Sequence, residues 1–374
     1  MKTSAAVLGV IGAAGPFAES RPVNIEELEL DPPATGELLV RIESAGVCHS
    51  DLSVVDGSRP RPVPLALGHE AAGIVESVGP GVVDVTPGDH VVLTFVPSCG
   101  VCANCSAGRP TLCAPALAAN TSGALLGGGR RLHRESGGDV HHHLGVSAFS
   151  QFAVVARGSA VVVPEDVPFD IAALLGCAVL TGVCAVLETA RVRPGESVAV
   201  FGLGGVGLAA VMGAVLSGAA PILGVDPVSE KRDLALALGA TAALSPDEAK
   251  AGLRDMMGGG TRYAFETAGA LPALEAAYAA TARGGTTIAV GLPHPSRTIA
   301  VPAAALVGES RTLTGSYMGS SVPQRDIPRL VKLWRAGVLP VERLCGERLG
   351  LDQLNAALDR LADGSALRQL VIPQ

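Results

Sequence analysis

Four cysteines, Cys99, Cys102, Cys105 and Cys113, fall within fifteen residues at the spacing C-x2-C-x2-C-x7-C. Four thiolates so spaced close a tetrahedral zinc site, and a closed site pins a lobe of chain rather than performing chemistry. Cys48 and Cys177 lie far apart, with a Gly68-His69-Glu70 run between them, and cannot form a local clip. They and that run are one possible open site, since three protein ligands leave one zinc position free for water or substrate. A disulfide framework is the alternative use of cysteine, but the chain has 374 residues and the spacings are those of a metal site. Clustered thiolates held by zinc also point to a reducing, cytoplasmic compartment.

At 48% hydrophobic and 17% charged residues the composition is globular, and the length predicts two domains. Aromatic residues are 3%, so the cores must be built from Ala, Val and Leu. A net charge of −7 with no basic run argues against a nucleic-acid partner. The stretch 197–225 carries no charge and is long enough to span a bilayer. Glycines 202, 204, 205, 207, 213 and 218 and Pro221 interrupt it, so a buried strand, a tight turn and a buried helix explain it without a membrane. The first eighteen residues read as a strand and a turn at Gly15-Pro16 rather than a leader.

The first half shows short strands, Glu37–Glu43, Ala72–Val78 and His90–Phe95, between Gly/Pro turns. The Gly-, Arg- and Ser-rich stretch Gly123–Gly138 reads as a surface excursion. The pattern changes near Cys177. A strand, Glu196–Phe201, runs into a glycine turn and an Ala-rich helix, and a second strand, Ile222–Val225, follows. Helices Ser229–Leu238 and Pro272–Ala282, the latter ended by Gly284-Gly285, and a strand Thr286–Val290 continue the alternation. The class is α/β, with a doubly wound parallel sheet. Two amphipathic helices, Asp326–Ala336 and Leu351–Ala362, and a strand Arg368–Ile372 end the chain and are expected to return to the first domain.

Gly202-x-Gly204-Gly205-x-Gly207 follows a strand and opens a helix, the context in which such glycines cradle a dinucleotide pyrophosphate. The helix N-terminus supplies N–H donors for phosphate. Asp226, nineteen residues after Gly207, suits the adenosine ribose hydroxyls and repels a 2′-phosphate, which favours NAD. Lys231 and Arg232 soften that preference.

Gly46-Val47-Cys48-His49-Ser50-Asp51, Gly68-His69-Glu70-Ala71-Ala72-Gly73, the four-cysteine lobe, Gly176-Cys177 with Thr181-Gly182, and Gly202–Gly207 together resemble the zinc-containing medium-chain alcohol dehydrogenases over nearly the whole chain. The segment His142–Phe152 resembles the longer, dimeric branch, implying a homodimer. The resemblance implies a GroES-like β-rich catalytic domain over residues 1–177, completed by 321–374, with a Rossmann domain at 178–320 and the active site between them. It implies two zinc ions per subunit and NAD, acting on a primary alcohol or its aldehyde.

Matched positions carry implied roles. Cys48, His69 and Cys177 would hold catalytic zinc, and Cys99, Cys102, Cys105 and Cys113 structural zinc. Glu70 would sit behind the metal, Asp51 would hold the His69 imidazole, and Ser50 would take the alcohol proton. His49 and Arg368 match pyrophosphate-contacting positions, and Thr181 and Val206 positions near the nicotinamide. Phe95, Leu292 and His143 match pocket-lining positions, with His143 unusual in a pocket usually apolar. The proton relay of relatives ends at a His three residues after Ser50; here that residue is Ser53, so the relay is cut short or completed by water. The alternative within the family is oxidation of a thiol–formaldehyde adduct. The neutral segment Ala114–Ser122 disfavours so anionic a substrate.

Overall fold

A computed structural model describes residues 1–374, which divide into two compact units. The first comprises residues 1–177, 322–332 and 341–374; the second comprises 178–321 and 333–340.

The first unit is built on β-strands. Lys2–Leu8, Val23–Leu30, Leu132–His133, Asp139–His142 and Leu65–Ala66 close a barrel. A second sheet runs in the order Ala160–Val163, His90–Leu93, Ala71–Val78, Glu37–Gly46, Leu370–Val371, Arg348–Leu349, and Phe152–Ala156 pairs on Glu37–Gly46. Alternation explains the central strand: Leu38, Val40 and Ile42 are buried, whereas Leu39, Arg41 and Glu43 are only partly so. Leu38, Val40 and Ile42 join Val75, Val91, Leu93 and Phe149 in the main core. Leu370 and Val371 pair antiparallel with Gly46 and Ala45, so the chain's end closes beside the stretch that leads into Cys48.

One expectation fails in this unit. The stretch 123–138 is not a mere surface excursion, because it delivers Leu125 and Leu132, 0% and 1% exposed, to the barrel core beside Leu28 and Leu30. The two leucines join Ala5, Val7, Ala66, Val140 and Val154 in that core, and no periodicity signals them.

The second unit carries six parallel strands in the order Ala242–Leu244, Ile222–Val225, Val198–Phe201, Thr261–Glu266, Thr281–Ala289, Thr312–Gly315. In chain order this is 3-2-1-4-5-6, and the switch point falls between Val198–Phe201 and Thr261–Glu266, where such sheets bind ligands. The apolar stretch 197–225 resolves into strand Val198–Phe201, helix Gly205–Leu216 and strand Ile222–Val225. No single helix is long and apolar enough to cross a membrane. The helix expected over Pro272–Ala282 ends at Ala280, and the strand expected from Thr286 begins at Thr281. Thr281 pairs with Thr261 and Thr286 with Tyr263, so residues 282–285 bulge out of the ladder and Gly284-Gly285 marks that bulge.

His133, on the barrel, lies between two carboxylates: Nε2 is 2.9 Å from Asp31 and Nδ1 is 3.0 Å from Asp139. Partial burial opposes the charge, but the hydrogen bonds and fields of Asp31 and Asp139 outweigh it and raise the pKa above the ordinary 6.5. Because the folded value is the higher one, this contribution is complete below pH 6.5 and fades as pH rises through the folded value. His133→Gln should therefore lower the melting temperature near pH 6 and show little deficit near pH 9. A deficit independent of pH would contradict this reading.

Candidate active site

Cys48, His69, Glu70 and Cys177 come together in the first unit, with one ligand atom from each lying within 4.8 Å of all the others. Cys48 follows strand Glu37–Gly46 and opens the helix His49–Val55. His69 and Glu70 sit between strands Leu65–Ala66 and Ala71–Val78. The chain turns into them at Gly68, whose φ is +94° and where an added Cβ would lie 2.4 Å from the Phe149 nitrogen. Cys177 follows the buried helix Phe169–Leu175.

The His69 imidazole is wholly buried and its Nδ1 lies 3.0 Å from Asp51 Oδ1. Asp51 Oδ2 accepts the Cys48 backbone N–H at 3.1 Å. One carboxylate thus holds two of the candidate ligands in place. Burial opposes ionisation of Asp51, but the His69 charge, its hydrogen bond and the nearby His143 imidazole bring its pKa to about 2. An ionised Asp51 only accepts, so His69 carries its proton on Nδ1 and turns Nε2 toward Cys177 Sγ, 3.7 Å away.

The donor set fits zinc. Bonds of about 2.0–2.3 Å in a tetrahedron put neighbouring ligand atoms about 3.5 Å apart, close to the Cys177–His69 separation. A hydrogen bond from Cys177 pushes the Cys48 thiol well down, and the nearby charges of Arg368 and His69 add to that against the cost of burial. That is the thiolate character a metal ligand needs. Glu70 Oε2 accepts from Arg368 Nη2 at 2.9 Å, while Glu70 Oε1 is buried with no hydrogen-bond partner. Gly46 makes the space, since a Cβ there would lie 2.8 Å from Glu70 Oε1. Burial pushes the Glu70 carboxyl up to about 7 against the pull of Arg368. Arg368 is itself buried, and also donates to the Val47 carbonyl at 3.1 Å. His49 is exposed and Ser50 partly so.

Cys99, Cys102, Cys105 and Cys113 form a second cluster, their sulfurs within 4.8 Å of one another. The Cys99 N–H donates to Cys113 Sγ at 3.3 Å and the Cys102 N–H to Cys99 Sγ at 3.4 Å. A backbone N–H at Cys105 outweighs burial and brings the Cys102 thiol to about 6, and backbone N–H groups also lower Cys99, whereas burial pushes Cys105 up to about 12 and raises Cys113.

In the second unit Gly202 turns with φ +95° and Gly204 caps the helix Gly205–Leu216. Asp226 accepts the Leu203 N–H at 2.7 Å and the Val228 N–H at 2.9 Å, which places its carboxylate beside the glycine turn. Arg232 donates to the Asp226 and Pro227 carbonyls, and Lys231 is half-buried. Thr181 packs through its neighbour Gly182, where a Cβ would lie 2.2 Å from the Val206 carbonyl. Leu292 is 49% exposed, its backbone against Gly269.

Two residues, Glu266 and Thr267, escaped sequence reasoning. Glu266 Oε1 accepts from the backbone of Ala268 and Gly269 at 2.8 and 2.6 Å, and Thr267 Oγ1 donates to the Gly202 carbonyl at 2.6 Å. Together they brace the glycine turn; the acid closing a strand at Glu266 was the available signal. His143, matched to a pocket-lining position, has Nδ1 3.1 Å from Asp51 Oδ1.

The glycine turn yields a paired test. A Cβ at Gly207 would lie 1.8 Å from the Gly202 carbonyl, whereas one at Gly204 meets nothing within 4 Å. Gly207→Ala should lower the melting temperature and weaken nucleotide binding about tenfold or more, from an overpacking cost of ~1–3 kcal/mol. Gly204→Ala should leave melting unchanged and still weaken NADH binding, measured by fluorescence. Unaltered binding in Gly204→Ala would mean that no pyrophosphate approaches that backbone.

Comparison with known proteins agrees with this geometry. Residues 34–165 match the alcohol dehydrogenase GroES-like domain and residues 205–335 the zinc-binding dehydrogenase domain. The chain is 38% identical over 377 aligned positions to the NDMA-dependent alcohol dehydrogenase of Amycolatopsis methanolica, covering 100% of this chain and 99% of that one. It is 38% identical to the geraniol dehydrogenase of Castellaniella defragrans, covering 100% and 98%. The crystal structure of benzyl alcohol dehydrogenase from Acinetobacter calcoaceticus superposes with a TM-score of 0.92 at 31% identity, covering 100% of both chains. The chain belongs to the zinc-containing medium-chain alcohol dehydrogenase family, enzymes that pair a metal with a nucleotide cofactor.

Proposed function

We propose that the protein interconverts a primary alcohol and its aldehyde, with NAD as hydride partner and Cys48, His69 and Cys177 holding the catalytic metal. The observation that carries this reading is the convergence of those three side chains and Glu70 within 4.8 Å in a chain that also bears the Gly202–Gly207 turn. Zinc, when bound, supplies Lewis acidity toward a carbinol or carbonyl oxygen, and NAD supplies the hydride acceptor. Asp51 keeps the His69 proton on Nδ1, so Nε2 faces the metal position. Ser50, partly exposed two residues after Cys48, takes the alcohol proton. Ser53 does not extend a relay, because its Oγ donates to the His49 carbonyl at 2.8 Å, and water bridges beyond Ser50. Asp226 favours NAD over its phosphorylated form. Arg232 is held beside Asp226 by its Nη1, which donates to the Asp226 and Pro227 carbonyls, and with Lys231 it softens that preference. Relatives named for geraniol and benzyl alcohol favour an allylic or aromatic primary alcohol.

The test is NADH absorbance over a panel of aliphatic, aromatic and terpenoid alcohols with each cofactor, with and without NDMA. NAD-linked turnover of one alcohol class supports the reading, and turnover only when NDMA is present would contradict NAD as a freely exchanging partner. Activity with formaldehyde only beside a low-molecular-weight thiol would move the assignment to the adduct. Ser50→Ala should lower kcat about a hundredfold or more, the contribution of a positioned proton acceptor, while Ser53→Ala stays near the parent rate. An active Ser50→Ala enzyme would remove Ser50 from the mechanism.

A further inference from the structure

Two imidazoles share one carboxylate oxygen behind the candidate catalytic metal site. Asp51 Oδ1 is 3.0 Å from His69 Nδ1 and 3.1 Å from His143 Nδ1. All three side chains are buried, at 0%, 0% and 2% exposure for Asp51, His69 and His143. The rings meet edge to face, with centroids 5.4 Å apart at 78°. His143 Nδ1 is close to the oxygen but is not aimed along a full hydrogen bond. The contact is a close approach without a hydrogen bond, electrostatically favourable with the proton on Nδ1.

The backbone around His143 is built to hold it there. Its N–H lies 2.9 Å from Ser147 Oγ and 3.2 Å from the Ala66 carbonyl, and Ser147 Oγ donates to that same carbonyl at 2.9 Å. The turn that follows places Leu144 and Ser147 at φ +53° and +54°, a conformation side chains rarely adopt. Such strain persists only where surrounding contacts over-determine it.

An ionised carboxylate only accepts, so a ring nitrogen at 3.1 Å is favourable only as N–H. A carboxylate behind a metal-bound histidine raises that ligand's basicity and its grip on the metal. A second N–H on the same oxygen draws on the same charge and weakens that effect on His69.

We infer that His143 is a positioning residue that loosens the hold of His69 on the metal by competing with it for Asp51 Oδ1, so that the site is more electrophilic and exchanges its metal faster than an Asp51–His69 pair alone. The inference rests on the proposed metal role of Cys48, His69 and Cys177. It concerns this chain's own residues, and metal release measures it without turnover.

The experiment follows zinc loss to a chromophoric chelator from the purified enzyme and from His143→Phe, His143→Leu and His143→Asn. The phase missing from Cys48→Ser identifies the site. The Phe and Leu variants should release that zinc about three- to tenfold more slowly, within the range by which partners behind a ligand alter metal affinity. Asn, whose amide can return an N–H to Asp51, should release at the parent rate. If Phe does not fold by circular dichroism, the Leu and Asn pair carries the comparison. Release at the parent rate or faster from a folded apolar variant overturns the inference, showing that the ring only packs. A parent enzyme without the Cys48-dependent phase would overturn the metal assignment itself, and the inference with it.

Discussion

The Asp51 carboxylate, buried and ionised, is the contact on which the candidate active site depends. One oxygen orients the His69 ring and the other takes the Cys48 backbone N–H. The two candidate ligands are twenty-one positions apart and arrive on separate elements, yet a single acceptor sets their relative place. An isolated carboxylate in such a position would cost several kcal/mol and would neutralise itself by taking a proton. Here two imidazoles and an N–H make the charged form the stable one.

A second buried pair, Glu70 with Arg368, ties the cluster to the end of the chain. A buried ion pair is weak evidence of stability, because desolvation consumes much of the attraction. Its value here is positional. Arg368 belongs to the last stretch of chain, and by holding Glu70 it couples the closing strand Leu370–Val371 to the metal-ligand loop. Glu70 Oε1, left without a partner, keeps acceptor capacity beside the three candidate metal-ligand side chains.

Parts of this architecture were legible in the sequence for definite physical reasons. The four-cysteine lobe is local, so spacing alone reveals it. The glycine turn is local too, and its meaning comes from the strand before it and the helix after it. Cys48, His69 and Cys177 are distant in sequence, so only family resemblance grouped them. The doubly wound parallel sheet followed from the alternation of strand and helix, whereas its 3-2-1-4-5-6 order came only with the structure. What stayed hidden depends on tertiary arrangement. Leu125 and Leu132 look like residues of a polar loop until the barrel closes over them. The strand from Thr281 begins before its glycine pair because the ladder tolerates a bulge. The approach of His143 to Asp51 requires the left-handed turn after it, which no residue pattern announces.

The central claim is that two separate sets of side chains hold two metals with different jobs. Elemental analysis of the purified protein and of Cys48→Ser tests it most directly. The account requires two zinc ions per subunit in the parent and one in the variant, with the remaining ion held by the four-cysteine lobe and the fold intact. A parent with a single zinc held only by that lobe, or a Cys48→Ser protein that keeps both, would contradict it.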